Sequence, residues 1–251
     1  MQGKRAIWPW GLAVALLASP LAVLGQSASG VPLPDSEPVP TDADLANTQC
    51  AIGEERFLPG DYYYCLGKQS YGNHRYASSQ RFFTTAASWA SKPAQYVLGI
   101  MALNGDQQPV NRPLALAWLA LAAERSGSDY EQAYQAAYAK ASDEERKAAE
   151  QLLVGMRPIY GDGVAAKRAE QRYAAGMAEL TRLSRSGGQY CMAGAGNTAQ
   201  PTTNPTSCPP AQLVVKAVDA AAANVFDGWV GHVQVGELEQ ATPPDDGKRS
   251  K

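Results

Sequence analysis

The sequence predicts an all-α protein: a short α-solenoid of antiparallel helix pairs with a C-terminal helical extension. Three observations point to this fold class. Apolar residues recur three and four apart between residues 61 and 155, which is the spacing of one helix face. Glycine-containing breaks divide this region into short segments, and short loops favour antiparallel neighbours. A residue pattern also repeats with a period near 35, which is typical of helical solenoids.

The first 25 residues have the layout of a secretory signal peptide. Lys4 and Arg5 precede an uncharged apolar run over 6–24. Pro20 and the small side chains that follow it favour cleavage after Gly25. An uncleaved membrane anchor is the alternative, because a run of 19 residues is close to the length that spans a bilayer. We therefore expect a periplasmic or secreted protein with no stable membrane insertion after cleavage.

The charge balance argues against nucleic acid as a partner. The chain has 22 basic and 24 acidic residues. Cleavage removes Lys4 and Arg5 and no acidic residue, which leaves 20 basic residues against 24 acidic ones and a net charge of −4. Without a basic block, the mature chain also lacks the charge that binds an anionic membrane surface.

Four cysteines, an even number, predict disulfides in an exported chain. Three connectivities are open. We favour Cys50–Cys65 and Cys191–Cys208, because each pair closes a short loop of about 15–18 residues that contributes roughly 3 kcal/mol. Free thiols or metal ligands are the alternative, although the cysteine spacing and the presence of only two histidines argue against a metal site.

The elements follow in order along the chain. Residues 26–49 are rich in Pro, Ser and Asp and read as a disordered linker. The helical repeat domain is expected over 50–155. Within it Asn111 is a good N-cap with Pro113 in the first turn, and Asp129 opens the next helix. Ser142 and Glu145 form a capping box for a helix that continues through Leu153.

The C-terminal part, 156–240, reads as a helical extension with a disulfide loop, followed by a disordered tail over 241–251. One helix is expected over 165–184 and another over 211–226, separated by a polar loop over 186–210. Partial alternation over 230–238 is compatible with one short strand. The side chains expected to face the core are Ala169, Tyr173, Met177, Leu180 and Leu183 in the first helix and Leu213, Val214, Val218, Ala221 and Val225 in the second.

The internal repeat carries a family resemblance. Residues Tyr64, Leu66 and Gly67 recur as Tyr96, Leu98 and Gly99 at an offset of 32, and Phe82-Phe83 and Ala86-Ala87 recur as Trp118-Leu119 and Ala122-Ala123 at an offset of 36. Ala94-Gln95-Tyr96, Leu98-Gly99, Met101, Gly105, Leu114-Ala115, Trp118-Leu119 and Ala122-Ala123-Glu124 resemble one full unit of the Sel-one-like repeat family, a branch of the tetratricopeptide-like helical repeats. The first unit is a weaker copy, with Ser79 where the second has Ala115. The resemblance covers residues 61–126 and implies an α-solenoid that binds proteins and seldom acts as an enzyme.

Catalytic patterns are not apparent in the sequence. The only histidines are His74 and His232, and each reads as an exposed loop residue. The acidic run 143–145 suits the positive end of a helix dipole better than a general acid–base pair. The tyrosines at 62–64 suggest a sugar or peptide platform, but successive helix positions point in different directions, so packing is the better interpretation. We expect no enzyme activity, no cofactor and no metal.

The function predicted from these features is an exported scaffold that mediates protein–protein or protein–peptide interaction in the periplasm or cell envelope. We take Tyr63, Arg81, Gln95 and Arg125 as candidate partner contacts, by analogy with the family. The alternative is a cell-envelope hydrolase or accessory factor acting on peptidoglycan or β-lactam compounds. A structural subunit of an envelope assembly is a third hypothesis.

Overall fold

The computed structural model describes residues 39–195 and 207–231, and these residues are mainly helical. The predicted signal peptide, most of the linker, His232, the tail and all but the first two residues of the candidate strand lie outside them. The helices are α1 (Asp42–Ala46), α2 (Pro59–Gly72), α3 (Tyr76–Ser88), α4 (Lys92–Asn104), α5 (Arg112–Ala122), α6 (Asp129–Ala139), α7 (Asp143–Tyr160), α8 (Ala165–Arg185) and α9 (Ala211–Val225), with a 3-10 turn at Glu54–Arg56 before α2.

Helix pairs pack as the solenoid prediction requires. Helix α2 packs on α3 and α4 packs on α5, while α3 also contacts α4 and α5 contacts α6 and α7. The all-α, solenoid-like fold class is confirmed. Capping residues mark the helix starts as predicted: the Asn111 side chain accepts a hydrogen bond from the Leu114 N–H at 3.0 Å, and Ser142 and Glu145 form a capping box.

Glycines at equivalent positions allow the paired helices to approach closely. A Cβ atom built on Gly67 of α2 would lie 2.5 Å from the Phe83 ring of α3. A Cβ atom on Gly99 of α4 would lie 2.8 Å from Leu119 of α5. Both contacts are too short for a side chain, so each pair needs its glycine. The first unit has Ser79 where the second has Ala115, and the structure explains this difference. The buried Ser79 hydroxyl donates to the Gly67 carbonyl at 2.8 Å.

The structure differs from the predicted boundaries in two places. Residues 42–46 form α1, although the linker was expected to be disordered to residue 49. Thr41 and Asp44 make a capping box, and α1 packs so closely on α2 that a side chain at Gly72 would overlap its backbone. Helix α7 continues to Tyr160 and therefore crosses the expected domain boundary at 155.

The C-terminal extension packs on the segment that precedes α2. Phe57 and Leu58 share a core cluster with residues of α8 and α9. The predicted inward side chains of α8 lie in or against this cluster, as do those of α9 with one exception. The prediction for Leu213 is wrong: its side chain is 46% exposed, because the buried stripe of α9 runs through Ala211, Val214, Val218 and Ala222.

Both predicted disulfides are present. Cys50 is bonded to Cys65, with Cα atoms 5.6 Å apart, and Cys191 is bonded to Cys208, with Cα atoms 4.7 Å apart. All four cysteines of the chain are therefore paired. The C-terminal bridge lies beside the N-terminal turn, where the Ala193 N–H donates to the Ile52 carbonyl at 3.0 Å. This contact joins the C-terminal disulfide loop to the segment before α2.

Candidate functional site

Three tyrosines lie on alternate helices of the array, and we call this set the tyrosine row: Tyr64 of α2, Tyr96 of α4 and Tyr130 of α6. The ring centroids of Tyr96 and Tyr130 are 5.3 Å apart. Tyr64 packs on Phe83 of α3, with ring centroids 5.9 Å apart, and the charge of Tyr130 raises the pKa of Tyr64. All three rings are half-buried, so the row combines aromatic faces with phenol hydroxyls.

The phenols of the tyrosine row are neutral at physiological pH. Burial raises the pKa of Tyr64 to about 12, with smaller contributions from the charges of Tyr130 and Asp61. Burial also raises the pKa of Tyr96 and that of Tyr130. Neutral phenols in a desolvated setting donate and accept hydrogen bonds and offer ring faces for stacking or cation–π contacts.

Charged groups lie at the α2 end of the row. Asp61, Tyr64 and Lys68 are three and four residues apart and share one stripe of the helix. The Lys68 ammonium lies 4.9 Å from the centroid of the Tyr64 ring. Burial raises the pKa of Asp61, and the charge of Lys68 acts in the opposite direction. This end of the row therefore already holds one cation against an aromatic ring.

Glu54, in the turn before α2, adds a second desolvated carboxyl beside Asp61. Its side chain is only 7% exposed. Burial, followed by the charges of Asp61 and Glu55, raises the pKa of Glu54 to about 8. The burial of Glu54 could not be predicted from the sequence, because two adjacent acidic residues are usually exposed to solvent.

Two of the four predicted partner contacts lie at the surface of the first helix pair. Tyr63 stacks on Phe82 of α3, with ring centroids 6.1 Å apart and planes at 18°. Arg81 is exposed and donates to the Ser78 hydroxyl at 3.2 Å. Tyr63 is next to Tyr64 in sequence, yet it packs towards Phe82 rather than along the row.

The prediction for Gln95 as a partner contact is wrong. Its side chain is fully buried, and its amide donates to the Tyr160 carbonyl at 2.8 Å and to the Ala87 carbonyl at 3.3 Å. Gln95 thus ties α4 to the end of α7 and to α3. Its partner Tyr160 is 65 residues away, so the helical pattern alone cannot distinguish Gln95 from a surface glutamine.

The prediction for Arg125 is wrong for a similar reason. The Arg125 side chain is 8% exposed, and its Nε atom lies 3.0 Å from Asp162 Oδ2. Its Nη1 atom donates to the Val225 carbonyl at 2.7 Å and to the Asp227 carbonyl at 3.0 Å. A side chain held at three points inside the molecule is not available to a partner.

Arg125 belongs to a buried ion network centred on Asp162, which also contains Lys92 and Glu124. Lys92, 4% exposed, lies 2.9 Å from Asp162 Oδ1 and 3.0 Å from Glu124 Oε2. It also donates to the Leu121 carbonyl at 2.7 Å. The Asp162 N–H donates to Glu124 Oε2 at 2.8 Å. This network joins the start of α4, the turn after α5, the loop after α7 and the end of α9.

The remaining candidate groups lie apart from the row. The side chain of His74 is 63% exposed, and its Nδ1 atom lies 2.9 Å from the Tyr76 hydroxyl. Asp143 is exposed and paired with Arg146, while Glu145 caps its own helix. Across residues 39–195 and 207–231, no group of three or more His, Cys, Asp or Glu side chains is arranged to hold a metal ion.

A cleft of about 680 Å³ opens beside α8 and has the opposite charge to the Glu54–Asp61 end. Its apolar wall includes Phe57 and Leu180. Its arginines, all exposed, are Arg56, Arg172 and Arg182. The cleft also includes Glu179, so three arginines and one carboxylate line it.

Comparison with known proteins does not extend this description. No protein-family model, no curated protein and no solved structure matches the chain. In the part of the chain that the structure describes, none of the helices has the length and apolar character needed to cross a membrane.

Proposed function

We propose that this chain is an exported helical-repeat scaffold of the Sel-one-like type that binds a peptide segment of a protein partner along the tyrosine row. The observation that carries the proposal is the row itself. The rings of Tyr96 on α4 and Tyr130 on α6 have centroids 5.3 Å apart, and Tyr130 is near enough to Tyr64 on α2 for its charge to raise the pKa of Tyr64. A solenoid that repeats a binding side chain in this way offers a long, continuous contact for an extended segment.

Export is supported by the two disulfides, because such bonds persist in oxidising compartments such as the periplasm. The signal-peptide layout of residues 1–25 fits the same location. Half-buried tyrosines suit peptide recognition, because they supply large contact areas at a low cost in conformational entropy. The pairing of rigid aromatic faces with hydroxyls also resembles the composition of the central part of many protein interfaces.

The test is capture from a periplasmic extract with tagged protein, quantified by mass spectrometry. We compare the native sequence with Tyr96→Ser and Tyr130→Ser, and use Tyr138→Ser as the matched control. Tyr138 also lies on α6 but packs with Arg146 outside the row. We expect a specific partner to be retained by the native protein and by the control, and its recovery to fall at least about tenfold with either row variant.

Thermal unfolding of each variant separates lost binding from lost folding. Equal recovery of the partner by the row variants, when they are folded, would contradict peptide binding along the row. Retention of no protein above a bead control would contradict the scaffold itself.

A further inference from the structure

The cleft beside α8 has an apolar floor that depends on a glycine. Phe57, which follows the 3-10 turn, lies against the backbone of α8 at Gly176, where an added Cβ atom would be 2.7 Å from the ring. Leu180 lies one turn further along α8 and belongs to the same core cluster as Phe57, and Leu183 packs against that cluster. The ring and both leucines line the cleft. An apolar group placed on this floor would displace water from it.

Tyr190 forms one wall of the cleft, beside a disulfide. Its ring packs edge-to-face on Phe57, with centroids 5.4 Å apart. Tyr190 is followed by Cys191, which is bonded to Cys208, and its N–H donates to the Pro209 carbonyl at 3.0 Å. The bridge and this hydrogen bond hold the wall in place. A preformed cavity of about 680 Å³ has the size of sites that hold small molecules.

Three guanidinium groups line the cleft together with the apolar floor. Arg56 belongs to the 3-10 turn, and Arg172 and Arg182 belong to α8. Arg182 lies 3.9 Å from Glu179 Oε1, whereas Arg56 and Arg172 take part in none of the ion pairs between described residues. Burial raises the pKa of Tyr190, and the charge of Arg56, which also hydrogen-bonds the phenol, acts in the opposite direction.

The acidic groups near the cleft are already engaged. The carboxylates that act on the Tyr190 phenol are Glu55 and Glu179. Glu55 accepts the Gly53 N–H at 2.8 Å, and Glu179 lies beside Arg182. Guanidinium groups bind carboxylate and phosphate oxygens through paired N–H donors, so the cleft suits an anion better than a cation.

We infer that the cleft binds a small amphipathic anion, whose carboxylate or phosphate head meets Arg56 and Arg172 while its apolar body lies on the floor. Fatty acids and alkyl phosphates share this chemistry. An inorganic anion would leave the floor in contact with water, and a neutral hydrocarbon would leave the two guanidinium groups without an anion. The site is separate from the tyrosine row, because no residue of the row lines the cleft.

The inference is tested with four probes that separate the head from the body: octyl phosphate, octanoate, inorganic phosphate and 1-octanol. Each is titrated into the full protein with ¹³C-labelled leucine methyl groups and tyrosine rings, and the resonances of Leu183 and Tyr190 are followed. We expect saturable shifts with octyl phosphate, octanoate or both. Inorganic phosphate and octanol should bind at least about tenfold more weakly than the tighter of these two.

The arginines are tested with a double variant, Arg56→Gln with Arg172→Gln, which keeps polar side chains at two exposed positions. Binding of the amphipathic anions should weaken at least about tenfold, whereas binding of octanol should stay the same. Arg185→Gln is the matched control, because Arg185 is an exposed arginine of α8 outside the cleft. Raising the salt concentration should weaken binding to the native protein, since the arginines are exposed.

Three outcomes would overturn the inference. Inorganic phosphate that binds as tightly as octyl phosphate would show that the floor plays no part. Octanol that binds as tightly as the two anions, or a folded double variant that binds them like the native protein, would show that the arginines play none. Absence of shifts with both amphipathic anions would mean that the cleft takes no such ligand. Capture through the tyrosine row is measured separately, so these outcomes leave the proposed scaffold function untouched.

Discussion

At the scale of single residues, the helix caps bond within a few positions of themselves, whereas the buried polar side chains bond across the molecule. Asn111 and Ser142 cap their helices as expected, because a cap bonds within three residues of itself. Gln95 and Arg125 were misplaced because their hydrogen-bond partners lie 65 and 100 residues away. From the sequence alone, a polar residue at a helix start or in a turn is predicted to be exposed to solvent, because a distant partner cannot be identified.

Lys92 allows the buried network to be tested at this scale. Lys92→Met keeps the volume of the side chain but leaves the carboxylates of Glu124 and Asp162 without one of their cations. Removing one partner of a buried ion network is strongly destabilising, so we expect a loss of about 3 kcal/mol in the free energy of unfolding. Urea denaturation at pH 7 measures it.

The control for this change is Lys167→Met, at an exposed position of α8, which should stay within about 0.5 kcal/mol of the native protein. If Lys92→Met were equally harmless, the network would contribute no net stability.

At the scale of elements, periodicity predicts the long helices and misses the short one. The amphipathic spacing of α6 to α9 is visible in the sequence because each of these helices buries one stripe. Helix α1 has five residues and buries none of them, so only its capping box signals it. Helix α7 passes residue 155 and includes Pro158 in its last turn, although a proline there cannot donate to the carbonyl four residues before it.

Two glycines inside helices test the close approach of the helix pairs. Gly99→Ala places a methyl group 2.8 Å from Leu119, and overpacking of this kind should cost about 1–3 kcal/mol. Gly155→Ala in α7 meets nothing within 4 Å, so the better helix propensity of alanine should stabilise the protein by about 0.5–1 kcal/mol. Thermal unfolding measures whether each substitution lowers or raises the stability of the protein. A stabilised Gly99→Ala variant would mean that α4 and α5 separate freely, against the interlocked pair described above.

At the scale of the whole molecule, the C-terminal extension could be predicted as two helices but not placed. The core of this extension includes Phe57 and Leu58. These two residues come before the helical repeat and are separated from α8 and α9 by more than a hundred residues of sequence. No local pattern encodes such a contact. The tyrosine row was hidden for the same reason, since its members become neighbours only when the helix pairs stack.

The two disulfides provide the last test, because they close loops of similar length in different surroundings. Their sequence separations are 15 and 17 residues, so chain entropy alone predicts about 3 kcal/mol for each. The Cys191–Cys208 bridge also holds the loop whose Ala193 N–H bonds to Ile52. We therefore expect replacement of both Cys191 and Cys208 by serine to lower hydrogen-exchange protection at the Phe57 and Leu58 amides, which bond to the Glu54 carbonyl. Replacement of Cys50 and Cys65, whose loop contains both amides, gives the loss expected when the turn is released directly. Unchanged protection at these two amides in the variant without the Cys191–Cys208 bridge would show that the C-terminal loop does not support the turn before α2.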